Sequence, residues 1–526
     1  MRTTLIIGTE DLLDSLRQFV SFRTVSSMPD YAEDCRRGAS WLRNLFKRFG
    51  ADTEMFNTDD NRNPVVFARF RGRNLRIKHQ KRILFYGHYD VVAAENKKKT
   101  WNTDPFDLQG INGYYYGRGV SDNKGPTLAA IYAVADLVTK QQLNSDVLFL
   151  VEGEEECGSK GFEKTIKRNK HIIGDLDWIL LANSYWLNDD FPCLTYGLRG
   201  VVHATVQVES HRPDLHSGVD GSYLIDEALK DLIALIATLT GASGEIQIPE
   251  FFKSVLDTNL DEKARYDAIS QTLLLHDPGL GDAQKLTESF RARWSQPSLT
   301  VHHIKTSGPA TSSIIPRSAT ASLSIRLVPN QSAAVIEAAL SRCLHDSFNK
   351  FNSSNHLLVN VTHRADPWLG DPNNQIFQTL DAAVVEAWGS QSHKRRTSTS
   401  AHQRSASKPN SSAPGIKAAP ATSSTLAQGG GDNSPDATTA SAHDEVFSPL
   451  QKYFPCKTSS GPLYIREGGS IPAIRFLEKE FNAPAAHLPC GQASDSAHLD
   501  NERLRVVNLQ KSREIFRQLF RELPLK

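Results

Sequence analysis

The sequence predicts an α/β protein with a mostly parallel sheet, interrupted by a smaller α+β domain. Three observations lead to this class. Up to residue 198, short apolar runs alternate with helical patterns, which is typical of a parallel sheet. Between residues 199 and 365 a period of two predominates in the strand-like runs, as in half-buried antiparallel strands. At 526 residues the chain is also too long for one hydrophobic core.

The first part of the larger domain, residues 1–198, begins with two helical patterns and continues with strands. Apolar residues recur at helical spacing from Glu10 to Phe49 and indicate two amphipathic helices. Strands are predicted for PVVFARF and RILFYGHYDVV, and Pro126 marks the first turn of the helix that follows. Two further strands are predicted for DVLFLVEG and WILLAN, with a helix between them.

Residues 199–365 predict the smaller domain, which we expect to be ferredoxin-like. Period-two alternation marks the strands VVHATVQVES and ATASLSIRLVP. Helical spacing marks SYLIDEALKDLIALIATL and SAAVIEAALSRCLHDSF. This domain is predicted to be inserted into the larger one.

The larger domain resumes over residues 366–526 and contains a low-complexity insertion at 390–444. The insertion has almost no large apolar side chains and is predicted to be disordered, because it cannot bury enough surface to offset its conformational entropy. Its basic start, HKRR, fits either a solvated linker or a docking patch.

Composition excludes several classes of protein. Lys plus Arg is 60 and Asp plus Glu is 59, so no global field attracts nucleic acid or an anionic membrane. The six cysteines lack C-x-x-C spacing, which argues against a disulfide framework or a zinc ribbon. The N-terminus is unlike a secretory signal, and no stretch has the ~18 apolar residues of a membrane span. We expect a cytoplasmic protein that binds neither nucleic acid nor membrane.

The first candidate for chemistry is the pair His88 and Asp90 at the end of an apolar strand. Residues two apart share one face of a strand, and open α/β sheets place their sites at the carboxyl ends of strands. An aspartate beside a ligating imidazole fixes the tautomer of that imidazole. A buried structural histidine bonded to a neighbouring aspartate fits this pair equally well.

Further candidates follow along the chain. Asp122 lies in a glycine-rich turn before the Pro126 helix, and Glu154, Glu155 and Glu156 crowd the end of the next strand. Three adjacent carboxylates repel one another unless cations neutralise them, although a solvated acidic loop is the alternative. Far downstream, His498 lies in the small-residue stretch PCGQASDSAHLDNE, where a surface histidine is the alternative.

The order H-x-D, GRG-x-x-DNKG, EGEEE-x-GS, DSAH resembles the M20 family of co-catalytic zinc peptidases. The segments TYGLRG, PDLHSG, SIRLVPN and REGGSIP resemble its cytosolic nonspecific dipeptidases and carnosine dipeptidases. Within that branch, YGRGVSDNKGP and NSYWL resemble the M20 half of the fungal glutathione-degrading subunit that pairs with a glutamine-amidotransferase-like protein. The resemblance implies a zinc-exopeptidase fold and a lid or dimerisation domain at 199–365.

The resemblance also implies the roles of the candidate residues. The implied metal ligands are His88, Asp122, Glu156 and His498. Asp122 would bridge two metals, Glu155 would be the general base, and Asp90 would orient His88. The expected cofactor is zinc, with one or two ions per chain and manganese as the alternative.

Asn183 is a departure from the family pattern, which has an aspartate ligand at this position. An amide oxygen is a poor zinc ligand beside carboxylate or imidazole, and Asn183 removes one negative charge. We therefore predict weak metal occupancy at the position shared by His88, Asn183 and Asp122. Firmer occupancy is predicted where Asp122, Glu156 and His498 meet.

The resemblance implies substrate contacts as well. His216 would reach the active site of a neighbouring subunit and stabilise the oxyanion, which implies a homodimer. Arg326 would bind the substrate's terminal carboxylate. A loop histidine and a strand arginine covering apolar surface are the alternatives. Further pocket candidates are Tyr185, Ser313, Gly468, Gly469 and Ser470.

The sequence thus predicts a zinc-dependent exopeptidase for small peptides, active in glutathione breakdown as part of a complex. One alternative is a weakly catalytic or non-catalytic scaffold subunit of that complex, which Asn183 favours. Another is an N-acyl amino acid amidohydrolase, which shares the same residues.

Overall fold

A computed structural model describes residues 8–59, 62–73, 80–94, 100–309, 311–389 and 461–525. The insertion predicted at 390–444 lies outside these ranges. The α-helices found within them are α1 (Thr9–Ser21), α2 (Ala32–Arg48), α3 (Gly125–Thr139), α4 (Phe162–Ile173), α5 (Ala228–Ala237), α6 (Leu260–His276), α7 (Ala283–Trp294), α8 (Ala333–Asn349), α9 (Gln375–Trp388), α10 (Pro472–Phe481) and α11 (Val506–Glu522).

The strands of the same ranges are β1 (Asp52–Phe56), β2 (Val65–Phe70), β3 (Arg82–His88), β4 (Gln109–Ile111), β5 (Tyr114–Tyr116), β6 (Asp146–Glu152), β7 (Trp178–Leu181), β8 (Cys193–Leu198), β9 (Gly200–Glu209), β10 (Leu215–His216), β11 (Ser298–Thr306), β12 (Ile314–Ile315), β13 (Ser318–Leu327), β14 (His356–Ala365), β15 (Trp368–Leu369), β16 (Leu463–Glu467), β17 (Ala485–His487) and β18 (Arg503–Arg505).

The central sheet has the strand order β1-β2-β6-β3-β7-β17-β8-β15, and β16 pairs with β8. Its middle, β6-β3-β7-β17, is parallel, whereas β1 and β2 at one edge and β15 at the other are antiparallel to their neighbours. The middle strands are apolar along both faces because helices cover both sides. On one side, the apolar helix α3 is buried along nearly its whole length between the sheet, α1 and α11.

A second sheet, β11-β13-β9-β14, is antiparallel throughout. Every second residue of β9 and β13 is buried, and α5 and α8 pack on that face. The core of this layer, which includes Val206, Leu232, Leu323 and Leu340, is separate from the core of the central sheet. The domain boundaries drawn from the sequence stay a prediction.

Helices α6 and α7 form a pair that the sequence patterns did not predict. They lie within the 199–365 range, yet they pack on the larger sheet region. Tyr266 of α6 and Trp294 of α7 share an apolar cluster with Trp186, Cys193 and Ile465. This pair thus contributes to the larger sheet region, although it lies between the two segments that form the second sheet along the chain.

None of the helices within the described ranges has the length and apolar character needed to cross a membrane. The cytoplasmic location expected from the sequence stays a prediction. The five cysteines that the structure describes are all free.

Candidate metal centre

The candidate site lies at the carboxyl-terminal edge of the central parallel strands. His88 is the last residue of β3, and Glu155 and Glu156 follow the end of β6 in a short 3₁₀ turn. Asn183 lies two residues beyond the end of β7. Because neighbouring parallel strands end at a common edge, segments distant in sequence bring polar side chains to one place.

Asp122 lies between two histidines. It belongs to the π-helical turn Val120–Lys124 just before α3, and its peptide bond to Asn123 is cis. Its Oδ1 is 3.0 Å from Nε2 of His88, and its Oδ2 is 3.1 Å from Nε2 of His498. A carboxylate with one oxygen toward each imidazole has the arrangement of a residue that bridges two metal positions.

Glu156 completes the cluster. Its Oε2 is 3.0 Å from Nε2 of His498, and ligand atoms of His88, Asp122 and Glu156 all lie within 4.8 Å of one another. The other oxygen, Oε1, is buried and has no hydrogen-bond partner in the described part of the chain. Imidazole nitrogens and carboxylate oxygens suit a divalent transition metal, and a cation would satisfy the unpaired oxygen. The residues present therefore fit a metal.

The electrostatics of the cluster are those of crowded, buried acids. Burial raises the pKa of Glu155 well above its ordinary value; His88 opposes the rise, and the carboxylates of Glu156 and Asp122 add to it. Burial likewise raises the pKa of Glu156 to about 7, although the hydrogen bond with His498 opposes this. Hydrogen bonds to Asp122 and Glu156 raise the pKa of His498 to about 10. Bound divalent cations would supply the positive charge that these acids otherwise draw from protons.

Asp90 contacts His88 and also binds the turn that carries Glu155 and Glu156. Nδ1 of His88 is 3.1 Å from the backbone carbonyl oxygen of Asp90 and 3.5 Å from its Oδ1. The Asp90 carboxylate accepts the backbone N–H groups of Glu155 at 3.2 Å and Glu156 at 3.0 Å, and the hydroxyl of Ser26 at 2.7 Å. Asp90 thus anchors the turn that carries the predicted base and one ligand, and its main chain provides the nearer partner of the imidazole.

Asn183 is level with His88 when the pairing of Tyr86 with Leu181 is continued along the two strands. Its Oδ1 accepts the backbone N–H of Ser184 at 2.6 Å, and its carbonyl oxygen lies 2.8 Å from Nε2 of His487. The amide oxygen is therefore already engaged by the main chain. The weak metal occupancy predicted for this side of the site remains to be measured.

The predicted carboxylate-binding residues meet at one loop. Nη1 of Arg326 is 3.5 Å from Oγ of Ser470. Arg199 donates from Nε to the carbonyl oxygen of Gly468 at 3.2 Å, and a side chain at Gly469 would meet open space. This loop is accessible and lined by donors, which suits a bound carboxylate.

Tyr185 lies close enough to the metal centre for the charge of Asp122 to act on its phenol. It forms an isolated parallel bridge with Gly491, and burial followed by the charge of Asp122 raises the pKa of its phenol.

His216 and Ser313 lie together but apart from the cluster. They sit on the two-stranded ribbon of β10 and β12, where the backbone N–H of Ser217 donates to the carbonyl oxygen of Ser313. His216 is exposed, and its Nδ1 accepts the backbone N–H of Gly218 at 3.1 Å. Neither residue contacts the metal-binding side chains within the described chain.

Two residues around the site were missed. Ser26, which bonds Asp90, lies in a loop without a recognisable pattern. Lys124 is fully buried, and its Nζ donates to the carbonyl oxygens of Phe19 at 3.0 Å and Phe22 at 2.9 Å. Lys124 belongs to the motif DNKG. Its charge at the start of an apolar helix was the sequence signal that could have indicated a buried, hydrogen-bonded lysine.

Comparison with known proteins places these residues in context. Residues 84–406 match the family described as Peptidase family M20/M25/M40. The probable di- and tripeptidase DUG2 of Saccharomyces cerevisiae is 37% identical over 525 residues, covering 98% of this chain and 51% of that protein. The chain thus spans about half the length of DUG2. The Cys-Gly metallodipeptidase dug1 of Schizosaccharomyces pombe is 28% identical, covering 98% of this chain and 96% of that protein.

A solved structure extends the comparison to the fold. The crystal structure of human carnosine dipeptidase 1 superposes with a TM-score of 0.71 at 24% identity, covering 98% of this chain and 96% of that one. This similarity confirms the predicted fold class, a mixed α/β fold with a sheet that is parallel at its centre.

Proposed function

This chain belongs to Peptidase family M20/M25/M40, as its motifs indicated, and we propose that it is a metal-dependent exopeptidase that hydrolyses small peptides with a free C-terminal carboxylate. The observation that carries the proposal is Asp122, whose two oxygens face His88 and His498 at 3.0 and 3.1 Å beside Glu155 and the 5% exposed side chain of Glu156. This is a metal centre with an acid–base residue next to it.

His88, Asp122, Glu156 and His498 would hold the metal, and zinc is the proposed ion because imidazole and carboxylate are its usual ligands. The chemistry that bound divalent ions supply is Lewis acidity, which activates a water molecule and the scissile carbonyl group. Asn183 supports the proposal that the position nearest His88 is filled less firmly, since a neutral amide replaces a carboxylate there.

Glu155 is suited to move the proton. Its carboxylate accepts no hydrogen bond from the described residues, while its backbone N–H is held by Asp90. The side chain is therefore free to accept a proton from the attacking water and to donate it to the departing amine nitrogen.

Arg326, Ser470 and the backbone of Gly468 and Gly469 would receive the terminal carboxylate of the peptide. A guanidinium beside a hydroxyl and a sterically open glycine offers several donors to a planar anion. The Cys-Gly metallodipeptidase name of the dug1 relative supports Cys-Gly, the C-terminal half of glutathione, as the first substrate to test.

A homodimer is part of the proposal, because His216 is exposed and has no contact with the metal-binding residues of its own described chain. A partner subunit of the glutamine-amidotransferase type is supported by the motif resemblance alone. If the chain is a scaffold for such a partner, Asn183 would be the reason for its weakened catalysis.

The decisive experiment compares Glu155→Gln with the wild-type chain for metal content and for hydrolysis of Cys-Gly. Metal content is expected to stay unchanged and kcat to fall at least ~100-fold, the usual contribution of an acid–base group. The matched control is Glu154→Gln, because Glu154 faces away and bonds the backbone N–H of Asn63 at 3.0 Å. Its kcat should stay within a few-fold of wild type.

The alternatives give different results in the same experiment. A scaffold would bind metal without hydrolysing Cys-Gly until an amidotransferase-like partner is added. An N-acyl amino acid amidohydrolase would prefer an N-acetylated amino acid to the dipeptide. Unchanged turnover by Glu155→Gln would show that the base has been assigned to the wrong residue.

A further inference from the structure

Glu502 is a buried carboxylate at the metal centre that has no role in the proposal above. It lies four residues beyond His498, just before β18, and is 1% exposed. Its Oε2 accepts hydrogen bonds from Nη1 of Arg118 at 2.8 Å and from the backbone N–H of Gly119 at 2.9 Å. Its Oε1 accepts those of Ser121 at 3.0 Å and Asp122 at 3.1 Å.

The cost of burying this charge is offset by specific contacts. Arg118 is 2% exposed, and its guanidinium lies 5.2 Å from the ring centroid of Trp101. A buried ion pair needs good geometry and further hydrogen bonds to offset its desolvation. Both oxygens of Glu502 have such bonds, whereas Nε of Arg118 has no hydrogen-bond partner among the described residues. Here three backbone N–H groups of one loop converge on the same carboxylate, as in an anion-binding backbone nest.

The loop that Glu502 holds is the one that carries the bridging aspartate. Gly119 adopts a φ of +82°, and a Cβ there would lie 2.4 Å from Cγ1 of Val91, so the loop packs closely against the residues that follow β3. On the other side, Oγ of Ser121 donates to Oδ2 of Asp495 at 3.1 Å. The backbone N–H of Asp122 itself is one of the groups bound by Glu502.

We propose that Glu502 is a positioning residue of the metal centre: by holding the main chain of residues 119–122, it directs the two carboxylate oxygens of Asp122 toward His88 and His498. It also couples the positions of two metal ligands. The segment 498–502 contains the ligand His498, and through Glu502 it determines the orientation of the ligand Asp122. Loss of this contact weakens metal binding at both positions, since Asp122 is shared. The inference rests on the proposed metal centre.

The test is metal affinity, measured by titration calorimetry of zinc into the full chain after removal of bound metal with a chelator. Glu502→Gln keeps the shape of the side chain but removes its charge. Residues that orient metal ligands typically contribute 10–100-fold in affinity, so a loss of about 10–100-fold is expected. The number of ions bound at saturation should not rise.

The matched control is Asp146→Asn, at the opposite end of β6. Asp146 is equally buried, pairs with Arg69 at 2.8 Å and accepts the backbone N–H of Gly72 at 2.9 Å. The Asp146→Asn change removes a comparable ion pair far from the metal centre. Zinc affinity should therefore stay within about twofold of wild type. If Asp146→Asn and Glu502→Gln lose zinc affinity equally, the loss reflects general destabilisation of the fold, and the inference is overturned.

A second variant covers the case in which Glu502→Gln does not fold. Glu502→Asp keeps the charge that Arg118 requires but shortens the side chain by one methylene, so it cannot reach all the N–H groups at once. It is expected to fold, as judged by circular dichroism, and to lose zinc affinity by about tenfold. Wild-type affinity in a folded Glu502→Asp or Glu502→Gln chain would refute the positioning role.

The outcome separates this inference from the proposed function. If the wild-type chain binds zinc and the Glu502 variants bind it equally well, only the positioning role fails. If the wild-type chain binds neither zinc nor manganese, the proposed metal centre fails and the positioning role fails with it.

Discussion

Asn183 is the single residue expected to set how many metal ions the centre holds. Its amide oxygen is engaged by the N–H of Ser184 at 2.6 Å. Asn183→Asp would place a carboxylate level with His88, which can accept the same N–H and still offer an oxygen to a metal. We expect metal content to rise from about one toward about two ions per chain, measured by elemental analysis after dialysis.

The control for that prediction is the same change at Asn188, whose Oδ1 accepts the backbone N–H groups of Asp190 at 3.1 Å and Phe191 at 2.9 Å. It adds the same negative charge away from the strand ends, so metal content should not change. Two ions in the unaltered chain would show instead that Asn183 is no obstacle to full occupancy.

Asp90 illustrates how far side-chain chemistry can be predicted at this scale. The spacing predicted that His88 and Asp90 share one face of a strand; β3 ends at His88, so Asp90 lies just beyond the strand, and the two residues are nevertheless in contact. The contacts with the N–H groups of Glu155 and Glu156 could not be predicted, because they depend on how the turn after β6 folds over β3. Alternation in one strand carries no information about the main chain of another.

Among the elements, helix α6 is joined to the central sheet through an ion pair between its Glu262 and Arg466 of β16. Oε1 of Glu262 accepts hydrogen bonds from Nη1 of Arg466 at 2.6 Å, Tyr266 at 2.7 Å and Tyr196 at 3.1 Å. Arg466 is 4% exposed and immediately precedes the Glu467–Ser470 loop. In Glu262→Ala the guanidinium of Arg466 would remain buried without a counter-ion. We therefore expect the free energy of unfolding, measured with urea, to fall by about 3–5 kcal/mol.

The comparison for this prediction is Asp52→Ala, which breaks the pair with Arg71. Both side chains are more than half exposed, and solvent screens their attraction. The expected loss is below about 1 kcal/mol. If both variants lose the same small amount, the ion pair does not contribute to holding α6 on the central sheet.

Helix α5 shows where periodicity misplaced a boundary. The apolar spacing predicted a helix from Ser222, but α5 begins at Ala228. Asp226, which precedes it, accepts hydrogen bonds from the backbone N–H of Ser354 at 2.8 Å and from its hydroxyl at 2.7 Å. This tertiary contact holds the preceding residues outside the helix, and nothing in the local sequence predicts it.

For the whole molecule, a homodimer in which His216 acts across subunits predicts complementation between two inactive chains. Glu155→Gln lacks the base and His216→Ala lacks the donated histidine, yet a mixed dimer holds one site with both groups. Mixing equal amounts should restore about a quarter of wild-type turnover of Cys-Gly, given random exchange of subunits.

Two checks accompany the mixing experiment. Each variant alone should stay inactive, and mixing Glu155→Gln with a Glu155→Gln, His216→Ala double variant should restore nothing. Sedimentation of the wild-type chain as a monomer, or full activity of His216→Ala, would contradict the proposed exchange of histidines.

The sequence by itself determined several of the main secondary-structure elements and the residues of the candidate metal centre. Apolar runs and period-two or helical spacing predicted several of the longer strands and helices, such as β3, β6, β9, β13, α3 and α8, since such patterns report how a local element is buried. The ordered motifs that contain His88, Asp122, Glu155, Glu156 and His498 predicted a metal centre through their resemblance to the M20 family.

Only the tertiary structure decided how these groups are held. The bonds of Glu502 to residues 119–122 and the packing of α6 and α7 on the larger sheet region join segments hundreds of residues apart. Such contacts depend on the path of the whole chain. A hydrogen bond between two distant segments produces no periodic pattern in the sequence of either segment. The exposed position of His216 likewise follows from where its ribbon lies, not from the residues that surround it in sequence.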